Sequence, residues 1–124
     1  MTDRDLEAYV VRLLSAVYPD ARQTNNSGAV SANGDVLAGP WLADAKGTEK
    51  GTGFNITQRD FVKSRREAWH HRREVLFVRS NCANEVLVAL DLTLFVELMQ
   101  ALQTSDHRRL YPPWPAHQRT HSKP

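Results

Sequence analysis

The sequence has a single cysteine, Cys82, and no long run of apolar residues. One thiol cannot form an internal disulfide or supply the several thiolates of a typical structural zinc site, so we expect a protein of the reducing cytoplasm. No apolar run approaches the roughly 18 residues that a membrane-spanning helix needs. The N-terminal residues MTDRDLEAYV carry mixed charges, whereas a signal peptide would have a basic start and an apolar core.

Charge is distributed unevenly along the chain. The 124 residues carry a net charge of only +2, but the segment KSRREAWHHRR, from Lys63 to Arg73, holds five lysines and arginines against one glutamate. The residues from 104 onward are also basic, and most acids lie elsewhere. A positive face of this kind suits a polyanionic partner, so we expect a nucleic acid to bind there.

The spacing of apolar residues predicts helices and strands in one domain, residues 1–103. We predict helices at Asp5–Val17, from Thr57 to about Arg73 and at Thr93–Gln103, and strands at Asp35–Leu37, Trp41–Lys46, Val75–Arg79 and Glu85–Leu90. This order is typical of an α/β sandwich in which helices cover the faces of one mixed sheet. Residues 104–124 contain four of the six prolines and no periodicity, which indicates a basic, proline-rich C-terminal arm.

The second predicted helix has a recognisable start. Thr57 can cap it, and Asp60 at the third helical position places an acid near the positive helix end. Its predicted apolar stripe consists of Phe61, Val62, Ala68 and Trp69.

The segment GDVLAGPWLADAKG contains the residues that point to chemistry. Side chains two apart in a strand share a face, so Asp44 and Lys46 would project together. The turn residues Gly39 and Pro40 would return the chain and bring Asp35 beside Asp44. Two carboxylates that converge in this way repel each other unless a cation lies between them, and Mg²⁺, with Mn²⁺ as a substitute, is the natural candidate.

Lys46, Glu7 and Gln58 would complete such a site. Lys46 can orient a metal-bound water, help its deprotonation or stabilise charge on a phosphate, as phosphodiester hydrolysis requires. Glu7 lies toward the buried side of the first helix, where a carboxylate needs a partner. Gln58, at the start of the basic helix, can position the attacking water or contact a phosphate.

At this point the sequence resembles the PD-(D/E)xK nuclease superfamily and, within it, the archaeal-type and phage Holliday junction resolvases. The family pattern is an early helical Glu, an Asp that opens a strand, a second acid with a Lys two residues later, and a Gln or Ser at the next helix. Here these look like Glu7, Asp35, Asp44-Ala45-Lys46 and Gln58. Gly34 stands in the position of the motif's Pro, which is commonly absent from the family, and the second acid is Asp rather than the more frequent Glu.

The resemblance covers residues 5 to 90. It implies a restriction-endonuclease-like fold, Mg²⁺-dependent cleavage of branched DNA and a homodimer. In this interpretation Asp35 and Asp44 bind the metal, the Ala45 carbonyl and Glu7 are further ligands, and Lys46 and Gln58 assist catalysis. The DNA phosphates would meet five basic side chains: Lys63, Arg65, Arg66, Arg72 and Arg73.

Two other readings stay open from the sequence. One is a different nuclease of the same superfamily, such as a replication-repair or restriction enzyme. The other is a non-catalytic nucleic-acid-binding module, in which Asp44 and Lys46 form a surface ion pair on a strand and the basic helix is solvated.

Overall fold

The computed structural model of the chain describes residues 1–24 and 35–104. Its helices are α1 (Asp3–Leu14), α2 (Gln58–His70) and α3 (Leu92–Thr104), and its strands are β1 (Arg22–Gln23), β2 (Asp35–Ala38), β3 (Trp41–Lys46), β4 (Glu74–Ser80) and β5 (Val86–Ala89). The predicted arm beyond residue 104 and most of the predicted 23–34 loop lie outside the described residues.

The five strands form one mixed sheet in the order β1-β2-β3-β4-β5. Pairs β1/β2, β2/β3 and β4/β5 are antiparallel, and β3/β4 is parallel. Parallel neighbours need a crossover, and α2 supplies it between β3 and β4. The prediction of an α/β fold with one mixed sheet is therefore confirmed.

The sheet has two apolar faces because successive side chains of its central strands point to opposite sides. On one face Leu6 and Val10 of α1 pack with Val36, Ala43, Ala45 and Val78. On the other face Ala68 of α2 packs with Leu37, Leu42, Val75 and Phe77. The small side chains of Ala43 and Ala45 let α1 approach closely.

Helix α1 begins two residues earlier and ends three residues earlier than predicted. Thr2 is the N-cap and exchanges hydrogen bonds with Asp5, so this capping box moves the start to Asp3. At the other end the Ser15 hydroxyl donates to the Val11 carbonyl at 2.6 Å. Val17, assigned to the predicted helix, is 66% exposed beyond its end.

Helix α2 confirms its predicted cap, since Thr57 and Asp60 form a capping box. It ends at His70 rather than Arg73, because Arg72 adopts a left-handed φ of 56° that an α-helix cannot continue. The predicted stripe was wrong for Val62 and Trp69, which are 47% and 59% exposed. At about 100° per residue, they lie a third of a turn or more from the side defined by the buried Ala68 and Ser64.

Residues Met1–Leu90 form one compact unit, and a second begins at Asp91. The described part of the second unit is α3, which has no buried residue among those described. The predicted boundary at residue 103 stays a prediction.

Strands β4 and β5 and helix α3 differ from their predicted bounds by one residue at each end. Within the described ranges, no helix has both the length and the apolar character needed to cross a bilayer.

Candidate active site

A two-residue turn brings the two predicted carboxylates together. Ala38 pairs with Trp41 across the Gly39-Pro40 turn, and this register places Asp35 directly opposite Asp44. Directly opposed residues of an antiparallel pair project to the same face, with their Cβ atoms about 5 Å apart. Lys46 lies on that face as well, two residues beyond Asp44. The predicted juxtaposition of Asp35 and Asp44 is therefore confirmed.

Gly39 is required at this turn for two reasons. Its φ of +53° lies in the left-handed region, and an added Cβ would lie 2.3 Å from the Tyr18 ring. The turn is also held from outside, because the Gly39 N–H donates to Asp20 at 3.1 Å and Arg73 Nε donates to the Gly39 carbonyl at 3.1 Å. These contacts fix the register on which the pairing of Asp35 with Asp44 depends.

Asp44 is buried, with 2% of its surface exposed, and its charge is compensated inside the protein. Ser64 of α2 donates its hydroxyl to Oδ2 of Asp44 at 2.7 Å. Arg79 of β4 donates from Nη2 to the same oxygen at 3.3 Å and from Nη1 to the backbone carbonyl of Asp44 at 2.6 Å. A buried carboxylate needs such partners, because burial without them costs several kcal/mol (about 3–5 when one partner is removed).

Asp60 connects Arg79 to Lys46. Lys46 Nζ donates to Asp60 Oδ1 at 2.6 Å, and Arg79 Nη2 lies 3.4 Å from Asp60 Oδ2. Partial burial alone would raise the pKa of Asp60. The Lys46 hydrogen bond, the Thr57 N–H and the charges of Lys46 and Arg79 outweigh burial and lower that pKa below its usual value. Asp60 is therefore an ionised anchor that holds the Lys46 ammonium at the end of β3.

The pKa of Asp35 is shifted in the opposite direction, above its usual value. Burial, a hydrogen bond with Glu67 of α2 and the negative charges of Glu67 and Asp44 raise the pKa of Asp35 to about 8, although Lys63 opposes this. At neutral pH Asp35 therefore holds a proton and donates it to the Glu67 carboxylate. Burial is the largest of these causes, and the hydrogen bond with Glu67 is the next.

The charges along this face of the sheet add to the effect of burial on the pKa of Asp35. Four acids and three cations lie there: Asp35, Asp44, Asp60 and Glu67, with Lys46, Lys63 and Arg79. If all seven were ionised, the set would carry one negative charge in excess. A divalent cation beside Asp35 and Asp44 would replace the proton and relieve the same repulsion, so the donor set fits Mg²⁺. Among the described residues, no three His, Cys, Asp or Glu side chains already form a metal-binding group.

A cavity of about 420 Å³ opens at the carboxyl ends of the parallel strands β3 and β4, beside the start of α2. Its lining includes Lys46, Lys50, Thr57, Asp60 and Arg79. Crevices at the carboxyl ends of parallel strands are common ligand sites, and helix N-termini favour anions. The cavity therefore offers a phosphate group access to the Lys46 ammonium.

The other predicted catalytic and metal residues are more dispersed. Glu7 is half-buried on α1, whose core side chains pack on the opposite face of the sheet from Asp35 and Asp44. Gln58 is exposed in the first turn of α2. The Ala45 side chain is buried against α1. The acid next to Asp35 is thus Glu67 rather than Glu7, and the roles predicted for Glu7, Gln58 and the Ala45 carbonyl stay predictions.

The five predicted phosphate-binding side chains differ in their surroundings. Lys63, Arg66 and Arg72 are exposed. Arg65 is partly buried, with its guanidinium against two aromatic rings, and Arg73 is half-buried with its Nε bound to the turn. Arg73 therefore has a structural contact in addition to any contact with a nucleic acid.

Four residues of the site escaped prediction: Ser64, Glu67, Arg79 and, beyond its capping role, Asp60. Arg79 carried a usable signal, because a charged residue that ends the apolar strand VLFVR needs a buried partner. Glu67 is the single acid of the basic segment from Lys63 to Arg73, and that isolation was a second signal. No protein-family model, curated protein or solved structure matches this chain.

Proposed function

We propose that this chain is a Mg²⁺-dependent endodeoxyribonuclease that hydrolyses phosphodiester bonds in branched DNA, with a restriction-endonuclease-like fold. The observation that carries the proposal is the register of the β2/β3 hairpin, in which Asp35 faces Asp44 with Lys46 on the same side. The Glu67 and Asp44 carboxylates beside Asp35 support a cation there. Mn²⁺ would substitute for Mg²⁺, since it takes the same oxygen ligands.

Each residue has a defined task in this proposal. Asp35 and Asp44 would hold the ion, which supplies a bound water of lowered pKa and neutralises charge on the phosphate. Asp35 would bind the ion as the carboxylate, with its proton released to solvent water. Lys46, anchored by Asp60, presents its ammonium to the phosphate at the cavity. Arg79 and Ser64 fix the orientation of Asp44 through its Oδ2.

The substrate and assembly belong to the same proposal. Exposed Lys63, Arg66 and Arg72 provide sequence-independent phosphate contacts along and just beyond α2. Symmetric cleavage of a four-way junction needs two active sites, so the proposed working form is a homodimer in the cytoplasm.

One observation favours a second candidate, a non-catalytic nucleic-acid-binding module. The Asp44 carboxylate already has Arg79 and Ser64 as partners, and this pairing satisfies a buried carboxylate without a metal. In such a module Asp35, Asp44 and Lys46 would stabilise the fold only, and the basic surface of α2 would bind nucleic acid.

The deciding experiment is digestion of a labelled four-way junction, a flap and a linear duplex with Mg²⁺ or with EDTA. The test variant is Asp35→Asn, which keeps the size of the side chain and avoids the buried Asp44–Arg79 pair. Glu97→Gln, on exposed α3, is a control with the same acid-to-amide replacement. We expect Mg²⁺-dependent cutting of the junction, loss of cutting in Asp35→Asn and no change in Glu97→Gln.

Other results assign the chain differently. DNA binding without cleavage under any of these conditions supports the non-catalytic module. Equal cutting of the linear duplex supports another nuclease of the superfamily and removes the preference for junctions.

A further inference from the structure

The outer side of α2 carries an exposed tryptophan among cations. Trp69 is 59% exposed, and the side of α2 that faces the sheet carries Asp60, Ser64 and Ala68 instead. An indole that is 59% exposed gains only part of the stabilisation that burial in the core would give.

Two stacked phenylalanine rings and one arginine guanidinium connect Trp69 to the core. Phe77, which is 1% exposed, stacks on Phe61 with ring centroids 5.7 Å apart. The Arg65 guanidinium lies 5.2 Å from the Phe61 ring centroid and 4.9 Å from that of Trp69. Cation–π contacts on both rings hold Arg65 between them. The indole is therefore supported by a positioned cation rather than left to rotate in solvent.

Trp69 borders two depressions of the surface. One, of about 330 Å³, is lined with Phe61, Val62, Arg65 and Arg66. The other, of about 290 Å³, is lined with Pro40, Arg72, Arg73 and Glu74. Each depression thus combines the indole with two arginines, and Glu74 is the one acid in their linings.

We infer that Trp69 is a stacking platform for an unpaired base of single-stranded or branched DNA, with the neighbouring arginines on the adjacent phosphates. Every nucleobase has a flat π-face that stacks on an aromatic ring, and a cationic groove beside such a ring follows the backbone. Bases within a continuous duplex are stacked on each other, so a duplex offers the indole no free π-face. The surface therefore favours DNA with unpaired nucleotides over linear duplex.

This inference deepens the proposed function and rests on it for the identity of the polymer. Four arginines against one glutamate favour a polyanion over a second copy of this basic chain. Stacking contributes to binding and not to the bond-breaking step, so it is measurable without Mg²⁺.

The test is fluorescence anisotropy in EDTA with three labelled probes: an oligo(dT) strand, a four-way junction with an unpaired nucleotide at its centre, and a linear duplex. The variants are Trp69→Ala, Trp69→Phe and Arg66→Gln. Leu13→Ala, which removes an exposed apolar side chain from α1, is the matched control. Circular dichroism and sedimentation check the fold and the oligomeric state of each variant.

We expect Trp69→Ala to weaken binding of oligo(dT) by about 5- to 150-fold, the range that loss of one base–aromatic stack gives. Duplex binding and the salt dependence of the remaining affinity should not change, because no charge is removed. Trp69→Phe should recover most of the affinity. Arg66→Gln should instead weaken binding to all three probes and reduce the salt slope by about one phosphate contact.

Three results would overturn the inference: unchanged oligo(dT) binding in Trp69→Ala, an equal loss for oligo(dT) and duplex, or a change in oligomeric state that accounts for the whole effect. The last would identify the surface as a contact between copies. If the wild type cleaves junctions but Trp69→Ala binds oligo(dT) normally, only this inference fails. If Trp69-dependent binding is present without any Mg²⁺-dependent cleavage, only the proposed activity fails.

Discussion

Arg79 binds Asp44 twice, through Nη1 to the backbone carbonyl at 2.6 Å and through Nη2 to the carboxylate at 3.3 Å. Both side chains are almost completely buried, at 4% and 3% exposed. The Arg79 side chain thus links β4 to β3 in addition to the backbone hydrogen bonds between these two parallel strands. A buried arginine therefore determines how the central acid of the proposed site is oriented.

Removal of this arginine should destabilise the protein strongly. Arg79→Ala leaves the Asp44 carboxylate buried without its cation, and we expect a loss of about 3–5 kcal/mol in the free energy of unfolding. The control is Arg22→Ala, because Arg22 and Asp20 form a pair 4.0 Å apart with side chains 57% and 50% exposed. That variant should lose less than about 1 kcal/mol. Urea denaturation measures both, and equal losses would show that the buried pair contributes no more than a surface pair.

The raised pKa of Asp35 makes folding stability depend on pH. Asp35 in the folded protein keeps its proton up to about pH 8, whereas the unfolded carboxyl loses it near 3.8. The folded state therefore binds more protons between these values, and this contribution to stability is present at low pH and is lost as pH rises toward 8. Asp35→Asn has no such proton to lose.

The measurement is urea denaturation of the wild type and Asp35→Asn from pH 5 to pH 9. Relative to Asp35→Asn, the wild type should lose on the order of 2 kcal/mol across this range, less than the full shift implies because the side chain is partly exposed. A difference between the two proteins that is constant or grows in favour of the wild type as pH rises contradicts the prediction.

Lys46 should affect cleavage far more than binding. Lys46→Met removes the ammonium that Asp60 holds 2.6 Å from its Oδ1, and loss of one positioned charge-stabilising group typically reduces catalysis by about 10²–10³-fold. Lys50→Met is the matched control, since Lys50 lines the same cavity and is exposed. Single-turnover cleavage and anisotropy separate the two effects. A similar small loss of cleavage in both variants would assign Lys46 to phosphate binding alone.

The turn glycine should be essential to the register of the hairpin. Gly39→Ala forces a side chain into a left-handed conformation at φ +53° and against the Tyr18 ring, so we expect a loss of at least about 2 kcal/mol in unfolding free energy. Gly51→Ala has a comparable φ of +79° with nothing within 4 Å of its added Cβ, so it carries the conformational cost alone, about 1 kcal/mol. Thermal and urea denaturation compare them. If Gly39→Ala costs no more than Gly51→Ala, the Tyr18 contact does not restrict this turn.

Local patterns accounted for much of the first unit. The Thr57–Asp60 capping box, the alternation of Trp41–Lys46 and the Gly39-Pro40 turn each depend on residues a few positions apart. Such short-range geometry is enough to place Asp35, Asp44 and Lys46 on one side of a hairpin. The helix ends were less predictable, because a cap at Thr2 and a left-handed residue at Arg72 outweigh apolar periodicity.

The sequence by itself determined the hairpin and its two opposed acids. Only the tertiary structure decided that Glu67 reaches Asp35, that Arg79 compensates Asp44 and that Trp69 lies on the surface. The physical reason is that local patterns set which residues share a side of a helix or strand, whereas the packing of α2 over β3 and β4 sets which side is buried. Apolar and charged residues occur on more than one side of α2, so its sequence alone permits several orientations.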